Sequence, residues 1–367
     1  MEELGLTQLF GSCYAGRRVL VTGHTGFKGS WLVLWLQALG AHVGGLALAP
    51  DTNPAHWNLL GLHLDHEARI DLCDADAVKA TIEEFRPEII FHLAAQSLVR
   101  RSYRAPVTTF ASNVGGLVHV LEAVRACDSV RVVVNATTDK VYEANATPNG
   151  YRESDPLGGH DPYGTSKACA ELISACYRRS YFYRDDGRGQ PVLLATARAG
   201  NVIGGGDWAE DRLVPDLVRA AASGHPLRVR NPLATRPWQH VLEPLSGYLR
   251  IGQAMLAGHI GDAWNLGPAP GATLAVSDMV ARLQRDWPQL QILSDAGPHP
   301  HEAVQLALDC SKAASDLGWR PVWDVDTTLK FTAQWYREFL DCNSVRSRED
   351  LLAYVIDARR AGLGWAE

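Results

Sequence analysis

The sequence predicts an α/β fold: a Rossmann-like, doubly wound parallel sheet joined to a smaller, discontinuous C-terminal substrate lobe. Short runs rich in Val, Ile and Leu alternate with helical patterns through the first half of the chain, as in a parallel sheet covered by helices. A glycine-rich turn joins the first strand to the first helix, and glycine becomes frequent again from Gly200. The alternation predicts the sheet, and the change in composition predicts the second lobe.

The first strand and helix enclose the glycine turn. Arg17–Thr22 is a strand pattern, and Ser30–Leu39 is a helical pattern closed by Gly40. Glycines let a backbone approach a pyrophosphate closely, and the N-terminus of the next helix offers unpaired N–H groups to it. We therefore predict a dinucleotide site at the turn, formed by Gly23, Thr25, Gly26, Phe27, Lys28 and Gly29.

The next three strands frame the rest of this site. The second, 41–48, lacks both an acid near Ala47 for the adenosine ribose and an arginine for a 2′-phosphate, which favours NAD only weakly over NADP. The third ends at Asp71 and Leu72, where Asp71 either faces the adenine or caps the helix 75–85. The fourth, 88–95, ends in Ala94 and Ala95, whose small side chains leave room for a cofactor; a ligand-facing loop, 96–101, follows.

The remaining elements follow the same reasoning. The patterns predict helices at 105–127, 164–183, 212–223 and 277–287, a helix that follows 238–244 and ends near Gly258, a helical region after Thr327, and strands at 130–136, 192–198 and 290–293. The domains are then a dinucleotide-binding domain at 17–200 with 238–262 returning to it, a substrate-binding lobe at 201–237 and 263–340, an N-terminal arm at 1–16 and a C-terminal tail at 341–367.

Polar residues gather after the strand 130–136, where open α/β sheets bind ligands. Thr138, Asp139 and Lys140 follow this strand, and Tyr163 and Lys167 share one face of the next helix because they lie four residues apart. A lysine ammonium beside a phenol stabilises the phenolate and is expected to lower its pKa, so that the tyrosine can accept a hydroxyl proton. We predict these five residues to be catalytic.

The composition excludes several classes of protein. The formal net charge is −6 and no basic run suggests nucleic acid. The most apolar stretch, 31–50, is interrupted by Gln37, Gly40 and His42, which favours a buried helix and strand over a membrane span. The N-terminus lacks the basic region of a signal peptide, and the 7 scattered cysteines contain no CxxC pair. We expect a cytoplasmic protein with reduced thiols and without a metal site.

The motifs resemble the extended short-chain dehydrogenase/reductase superfamily. The shared pieces are the Gly23-x-x-Gly26-x-x-Gly29 turn, His92-Leu-Ala-Ala95, Tyr163-x-x-x-Lys167 and Asn265-Leu-Gly267. Four longer stretches resemble its nucleotide-sugar dehydratase branch, and the CDP-glucose 4,6-dehydratases in particular: residues 23–31, 94–100, 138–142 and 236–241. The likeness runs from about Arg17 to Tyr336.

The resemblance implies an internal redox cycle on CDP-glucose with tightly held NAD. Tyr163 takes the C4 hydroxyl proton while NAD takes the C4 hydride, water is lost across C5 and C6, and the hydride returns to C6. Asp139 suits the acid at the C6 oxygen if burial raises its pKa, and Thr138 suits the C4 hydroxyl. Lys140 is either the C5 base or electrostatic support for the enolate, and both roles stay open.

The resemblance also assigns substrate contacts and a partner. The substrate-binding candidates are Gln96, Ser97, Arg100, Asn201, Arg212, Arg236 and His301. Helices 105–127 and 164–183 form the dimer interface in the superfamily, so we expect a homodimer. The alternatives are a 4-epimerase or another nucleotide-sugar 4,6-dehydratase, which would share Tyr163 and Lys167, and a regulator that binds NAD without catalysis.

Overall fold

The computed structural model describes residues 5–143, 150–182, 191–229, 231–259, 261–268, 273–294 and 307–367. Its strands in chain order are β1 Arg18–Thr22, β2 His42–Ala47, β3 His66–Arg69, β4 Ile89–His92, β5 Val132–Ala136, β6 Leu193–Ala199, β7 Val202–Ile203, β8 Leu227–Val229, β9 Thr235–Pro237, β10 Gln239–His240, β11 Ala263–Leu266, β12 Thr273–Ala275 and β13 Ile292–Ser294. Its α-helices are α1 Phe27–Ala38, α2 His56–Leu60, α3 Ala75–Phe85, α4 Val99–Arg104, α5 Pro106–Phe110, α6 Gly116–Ala126, α7 Pro162–Tyr177, α8 Leu213–Ala222, α9 Leu242–Leu256, α10 Val276–Asp286, α11 Ser311–Asp316, α12 Val325–Cys342 and α13 Ser347–Arg360.

Seven strands form one parallel sheet in the order β11-β6-β5-β4-β1-β2-β3, which confirms the predicted fold class. The chain runs outward from β1 to β3 and then returns to the other side of β1 with β4. A crevice forms beyond the strand ends where the order reverses, and open α/β sheets bind ligands there. The glycine turn after β1 and the polar residues after β5 therefore lie along the same edge of the sheet.

Small paired strands accompany the main sheet in the second half of the chain. They form three two-stranded sheets, β7 with β10, β9 with β12 and β8 with β13. The short strand predicted at 290–293 is β13, which begins two residues later and ends one residue later, at Ile292–Ser294. The division into a cofactor domain and a substrate lobe stays a prediction.

Both termini of the described chain pack into the core. The segment predicted as an N-terminal arm contains two 3₁₀ turns within Leu6–Ser12, and Leu9 and Phe10 are fully buried there. The Phe10 N–H donates to the Trp365 carbonyl at 2.7 Å, and the two rings stack with centroids 4.9 Å apart. The predicted C-terminal tail contains helix α13, which packs on α1. Apolar contacts between buried side chains, such as Phe10 and Trp365, therefore hold the two ends of the chain together.

The helix predicted at 105–127 is present as Pro106–Ala126. A π turn, Ala111–Gly115, lies within it between α5 and α6. Asn113 lies in this turn, where its amide oxygen accepts from the Gln96 N–H at 2.8 Å and its amide nitrogen donates to the Gln96 carbonyl at 2.9 Å. The same nitrogen contacts the Ser166 hydroxyl at 2.9 Å. The π turn thus places the Asn113 side chain in contact with the loop after β4 and with α7.

Candidate active site

The glycine turn has the shape that a pyrophosphate requires. Gly23 has φ +75°, and a Cβ on it would lie 2.7 Å from the Ala94 nitrogen. A Cβ on Gly29 would lie 2.1 Å from the Gly23 carbonyl oxygen. Gly26 precedes α1 without a side-chain cap, so the first N–H groups of the helix point into the crevice unpaired by a capping side chain. The turn therefore fits the dinucleotide predicted from it.

Replacing Gly29 with alanine is expected to weaken NAD binding by at least about 10²-fold, because the added methyl overlaps the Gly23 carbonyl and must displace the turn. Isothermal titration calorimetry with NAD measures the change. Gly364→Ala is the control, since a methyl there meets nothing within 4 Å. Equal NAD affinity of Gly29→Ala and the wild type would contradict this account of the turn.

The adenosine end of the crevice differs in part from expectation. Asp71 accepts from the Cys73 N–H at 2.9 Å, whereas Asp74 is the residue that caps α3, accepting from the Ala77 N–H at 3.0 Å. The alternative in which Asp71 caps this helix is therefore wrong. Leu72 is buried, and its carbonyl accepts from His119 Nδ1 at 2.7 Å.

An arginine does lie at this end, although none occurs on the second strand. Arg69 ends β3, and its Nη1 donates to the Leu48 carbonyl at 3.3 Å, the same oxygen that accepts from the Thr25 hydroxyl at 2.9 Å. Arg69 also pairs with Glu67 at 2.6 Å. Sequence reasoning missed Arg69 because an arginine was expected on β2, whereas Arg69 lies on β3, which pairs with β2.

The predicted catalytic residues meet at the end of β5. Thr138 donates to Asp139 Oδ1 at 3.1 Å, and its hydroxyl lies near enough to Tyr163 to act on the pKa of that phenol. Asp139 is buried, and its Oδ2 has no hydrogen-bond partner within the described residues. Lys167 donates from Nζ to the Ala136 carbonyl at 2.9 Å. Thr138 thus binds the aspartic acid and lies near the phenol.

Burial controls the protonation of these groups. It raises the pKa of Asp139, against the opposing charges of Lys140, Arg236 and Lys28. It raises the pKa of Tyr163 to about 12 and lowers the pKa of Lys167 to about 8. At neutral pH the phenol is therefore protonated and Lys167 is mostly an ammonium.

The predicted lowering of the Tyr163 pKa is not observed, because the pKa of this phenol is raised. Desolvation of the phenol dominates, and the opposing influences come from Thr138 and Arg212. The Lys167 ammonium is instead held by the Ala136 carbonyl. Phenolate formation requires further positive charge near the hydroxyl.

Lys28 extends from the first turn of α1 into the same region. Its side chain keeps some exposed surface, yet surrounding protein atoms lower its pKa to about 7. The charged groups that act on it are Arg212, Asp139, Lys167 and Asp207. Lys28 therefore faces the catalytic residues as well as the turn predicted to hold the cofactor.

Two of the substrate-binding candidates reach the catalytic residues. Arg212 pairs with Asp207 at 3.1 Å and donates to the Ser97 hydroxyl at 3.2 Å, and its charge acts on Tyr163. Arg236 is buried, and its charge acts on Asp139. Both guanidinium groups border the cleft in which a diphosphate would place its charge.

The other candidates take structural positions. Gln96 donates to the Leu98 carbonyl and the Thr109 hydroxyl, which shapes the loop after β4. Arg100 pairs with Asp211 at 2.7 Å. Asn201 accepts from the Gln239 N–H through its carbonyl at 3.3 Å. His301 lies outside the described residues, and substrate contacts by all of these remain predictions.

Comparison with known proteins decides the family. The family model "NAD dependent epimerase/dehydratase family" matches residues 19–267. The chain belongs to this family. A CDP-glucose 4,6-dehydratase of Salmonella typhimurium is 45% identical over 331 residues, covering 89% of this chain and 92% of that protein. A probable dTDP-glucose 4,6-dehydratase of Sinorhizobium fredii is 27% identical, covering 88% and 93%.

Solved structures of the family share the fold. The Thermus thermophilus UDP-glucose 4-epimerase in complex with NAD superposes with a TM-score of 0.72 at 25% identity, covering 87% of this chain and 99% of that one. A Bacillus anthracis dTDP-glucose 4,6-dehydratase in complex with NAD has a TM-score of 0.71 at 22% identity, covering 88% and 97%. The chain is an enzyme of an NAD-dependent family, and NAD is its cofactor.

Sequence reasoning missed buried polar residues that support the site. Ser102 accepts from the Tyr163 N–H at 3.2 Å at the start of α7. Glu171 and Arg198 form an ion pair with side chains only 2% and 4% exposed. Of these residues, only Glu171 could have been found from the sequence, because it lies four residues after Lys167 and therefore on the same face of the predicted helix.

Proposed function

We propose that this protein is a CDP-glucose 4,6-dehydratase, a hydro-lyase that converts CDP-D-glucose to CDP-4-keto-6-deoxy-D-glucose and water. The similarity to the Salmonella enzyme, at 45% identity against 27% for a dTDP-glucose relative, supports cytidine over thymidine. The feature of the site that supports it best is Asp139, a buried acid that accepts a hydrogen bond from Thr138, which also acts on the pKa of Tyr163. A 4-epimerase needs no such acid.

The residues divide the reaction among themselves. Tyr163 accepts the C4 hydroxyl proton, and Thr138 orients that hydroxyl. Asp139, whose pKa is raised by burial, donates its proton to the C6 oxygen as that oxygen leaves the sugar as water. Arg212 and Arg236 hold the diphosphate. NAD, when bound, would supply the hydride acceptor for C4 and the hydride donor for C6, and the positive charge of its oxidised form would favour the phenolate.

Two catalytic roles remain open for Lys140, the base at C5 and the electrostatic stabiliser of the enolate. As the C5 base it must be neutral, whereas as an electrostatic partner of the enolate it must be charged. Its charge acts on Asp139, so it lies near the elimination site in either case. Exchange of the C5 hydrogen with deuterated water separates the roles: Lys140→Met abolishes exchange if Lys140 is the base and only slows it if Lys140 stabilises charge.

A substrate panel tests the proposed function. The purified protein is incubated with CDP-, dTDP-, UDP- and GDP-glucose and NAD, and the 4-keto product is read by its alkali-induced absorbance and by a mass lower by one water. We expect turnover of CDP-glucose and little of the others. A change of CDP-glucose to its C4 epimer without loss of water would establish the epimerase instead, and NAD binding without turnover would establish the regulator.

We also propose that the protein is a homodimer through helices α5, α6 and α7. Apolar side chains are exposed on this side of the molecule: Tyr103, Val107, Phe110, Leu172 and Tyr181. The segment Pro106–Ala126 is long and apolar enough to cross a membrane, but α6 packs on α3 and α5 packs on α7. We therefore assign its exposed face to a second copy of the chain. The cytoplasmic location remains the prediction made from the sequence.

Changing Leu172 to aspartate is expected to weaken dimerisation by about 10²-fold or more, because a two-fold interface contains the buried charge twice. Leu172 is 59% exposed in the isolated chain. Analytical ultracentrifugation measures the shift to monomer, and Leu340→Asp, at another exposed leucine on α12, is the control. A dimer of unchanged stability in Leu172→Asp would place the interface elsewhere.

A further inference from the structure

The segment Thr137–Tyr142, which we call the catalytic loop, is held at both ends by one buried ion pair. We propose that Glu171 and Arg198 are positioning residues that fix Thr138 and Asp139 of this loop against Tyr163 and Lys167. The inference deepens the proposed function and rests on it. Neither residue contacts the reacting atoms in this account; each acts through the loop.

Glu171 binds the start of the catalytic loop. Its Oε1 accepts from the Thr137 hydroxyl at 2.5 Å. Its Oε2 accepts from the Thr196 hydroxyl at 2.7 Å and from Arg198 Nη2 at 2.8 Å. All four residues are buried, so water does not compete for these contacts.

Two side chains of helix α7 thereby form hydrogen bonds with two consecutive residues at the end of β5. Lys167 donates to the Ala136 carbonyl at 2.9 Å, and Glu171, one helical turn later, accepts from Thr137. Thr138 and Asp139 follow immediately. The separation between the phenol on α7 and the acid on the loop is therefore set by two side chains of the same helix face.

Arg198 binds the other end of the loop. Its Nη1 donates to the Tyr142 hydroxyl at 2.8 Å and to the Glu153 carbonyl at 3.1 Å. The Tyr142 hydroxyl donates in turn to Asn265 Oδ1 at 2.6 Å. The loop is thus fixed to strands β6 and β11 after the acid, as it is fixed to α7 before it.

Stability alone does not account for burying this pair. Replacing a buried ion pair by apolar side chains of similar volume is often neutral or stabilising, whereas the hydrogen-bonding geometry of the charged pair defines a unique arrangement. Here that arrangement holds both ends of a six-residue loop that contains the predicted acid. Positioning is the role that the contacts describe.

The carboxylate also acts on the catalytic lysine. The charge of Glu171 favours the Lys167 ammonium and opposes the lowering of its pKa by burial. The other titratable groups that face Lys167 are Lys28 of α1 and His92 of β4, and His92 is neutral because burial lowers its pKa to about 3. Removing the Glu171 charge therefore lowers the pKa of Lys167 further, and the ammonium is lost at lower pH.

The test compares Glu171→Gln, Thr137→Val and the control Thr332→Val. Thr137→Val removes one contact of the loop and leaves the ion pair intact, and Thr332 is an equally buried threonine on α12. We expect Glu171→Gln to lower kcat for CDP-glucose by about 10²-fold, as for a misplacement of about 1 Å, with little change in KM. Thr137→Val should lower kcat about tenfold, the loss of one hydrogen bond. Thr332→Val should retain wild-type kcat.

Two readouts separate positioning from mere folding. The alkaline limb of the kcat profile should move to lower pH in Glu171→Gln and stay in place in Thr137→Val. The Lys167 titration, followed by NMR of lysine-labelled protein, should show the same downward shift without any substrate. Wild-type kcat in both variants, or an unmoved Lys167 titration in Glu171→Gln, overturns the inference. Failure of the wild type to turn over CDP-glucose overturns the proposed function, and the NMR titration still tests Glu171.

Discussion

Replacing Asp139 with asparagine is expected to lower the rate of dehydration by about 10²- to 10⁴-fold, the range that one general acid contributes. The amide fills the same volume and can keep the contact with Thr138, but it cannot give a proton to the C6 oxygen. Because Asp139 is buried and its Oδ2 has no partner within the described residues, no neighbouring acid replaces it. The loss should therefore fall on kcat with KM nearly unchanged.

The measurement follows both product and intermediate. Mass spectrometry of the Asp139→Asn reaction should show the 4-keto sugar that retains its C6 oxygen, and little of the dehydrated product. Asp341→Asn, an exposed aspartate at the end of α12, is the control for the substitution itself. Dehydration by Asp139→Asn at more than a tenth of the wild-type rate would assign the acid to another residue.

The pH dependence of elimination follows from the same carboxyl. Burial raises the pKa of Asp139, so its acid form persists to higher pH than that of an exposed aspartate. The acid form is the active one, and elimination is therefore lost as the pH rises through this raised pKa. The Lys167 ammonium limits kcat on the alkaline side as well, so Asp139→Asn should lose the contribution of Asp139 and retain the limb set by Lys167.

Replacing Tyr163 with phenylalanine is expected to lower kcat for CDP-glucose by about 10³-fold, because the variant lacks the hydroxyl proposed to accept the C4 proton near Thr138. The ring remains, so packing at the start of α7 is retained and substrate affinity should change little. Stopped-flow measurement of the first turnover should show that C4 oxidation is the impaired step.

Tyr181→Phe is the matched control for that change. Tyr181 lies in the turn after α7 and is 46% exposed, and its ring contacts Arg125 and Tyr177. It should retain wild-type kcat. If Tyr163→Phe and Tyr181→Phe lost activity equally, the phenol of Tyr163 would have no special part in catalysis.

Much of the site could be predicted from local pattern. The glycine spacing, the strand that ends before Thr138 and the four-residue interval from Tyr163 to Lys167 each depend on backbone geometry that neighbouring residues determine. The sheet then brings these segments to one edge, as its confirmed fold class requires. The short stretches that resemble nucleotide-sugar dehydratases agree with the family that the comparisons show.

Other features depend on contacts between distant segments. Arg198 lies 27 residues from Glu171, and Asn265 lies 123 residues from Tyr142. Phe10 meets Trp365 only because α1 and α13 pack together. No periodicity in the sequence specifies such pairs.

The sequence by itself predicted the parallel α/β fold, the cofactor turn and the candidate acid, phenol and lysine. Only the tertiary structure decided their protonation, since desolvation depends on every atom that surrounds a group and raises the pKa of both Asp139 and Tyr163. It likewise decided that the Lys167 ammonium binds the Ala136 carbonyl and that a buried ion pair holds the catalytic loop. Local spacing places side chains on a face, whereas burial and partners come from the packing of the whole chain.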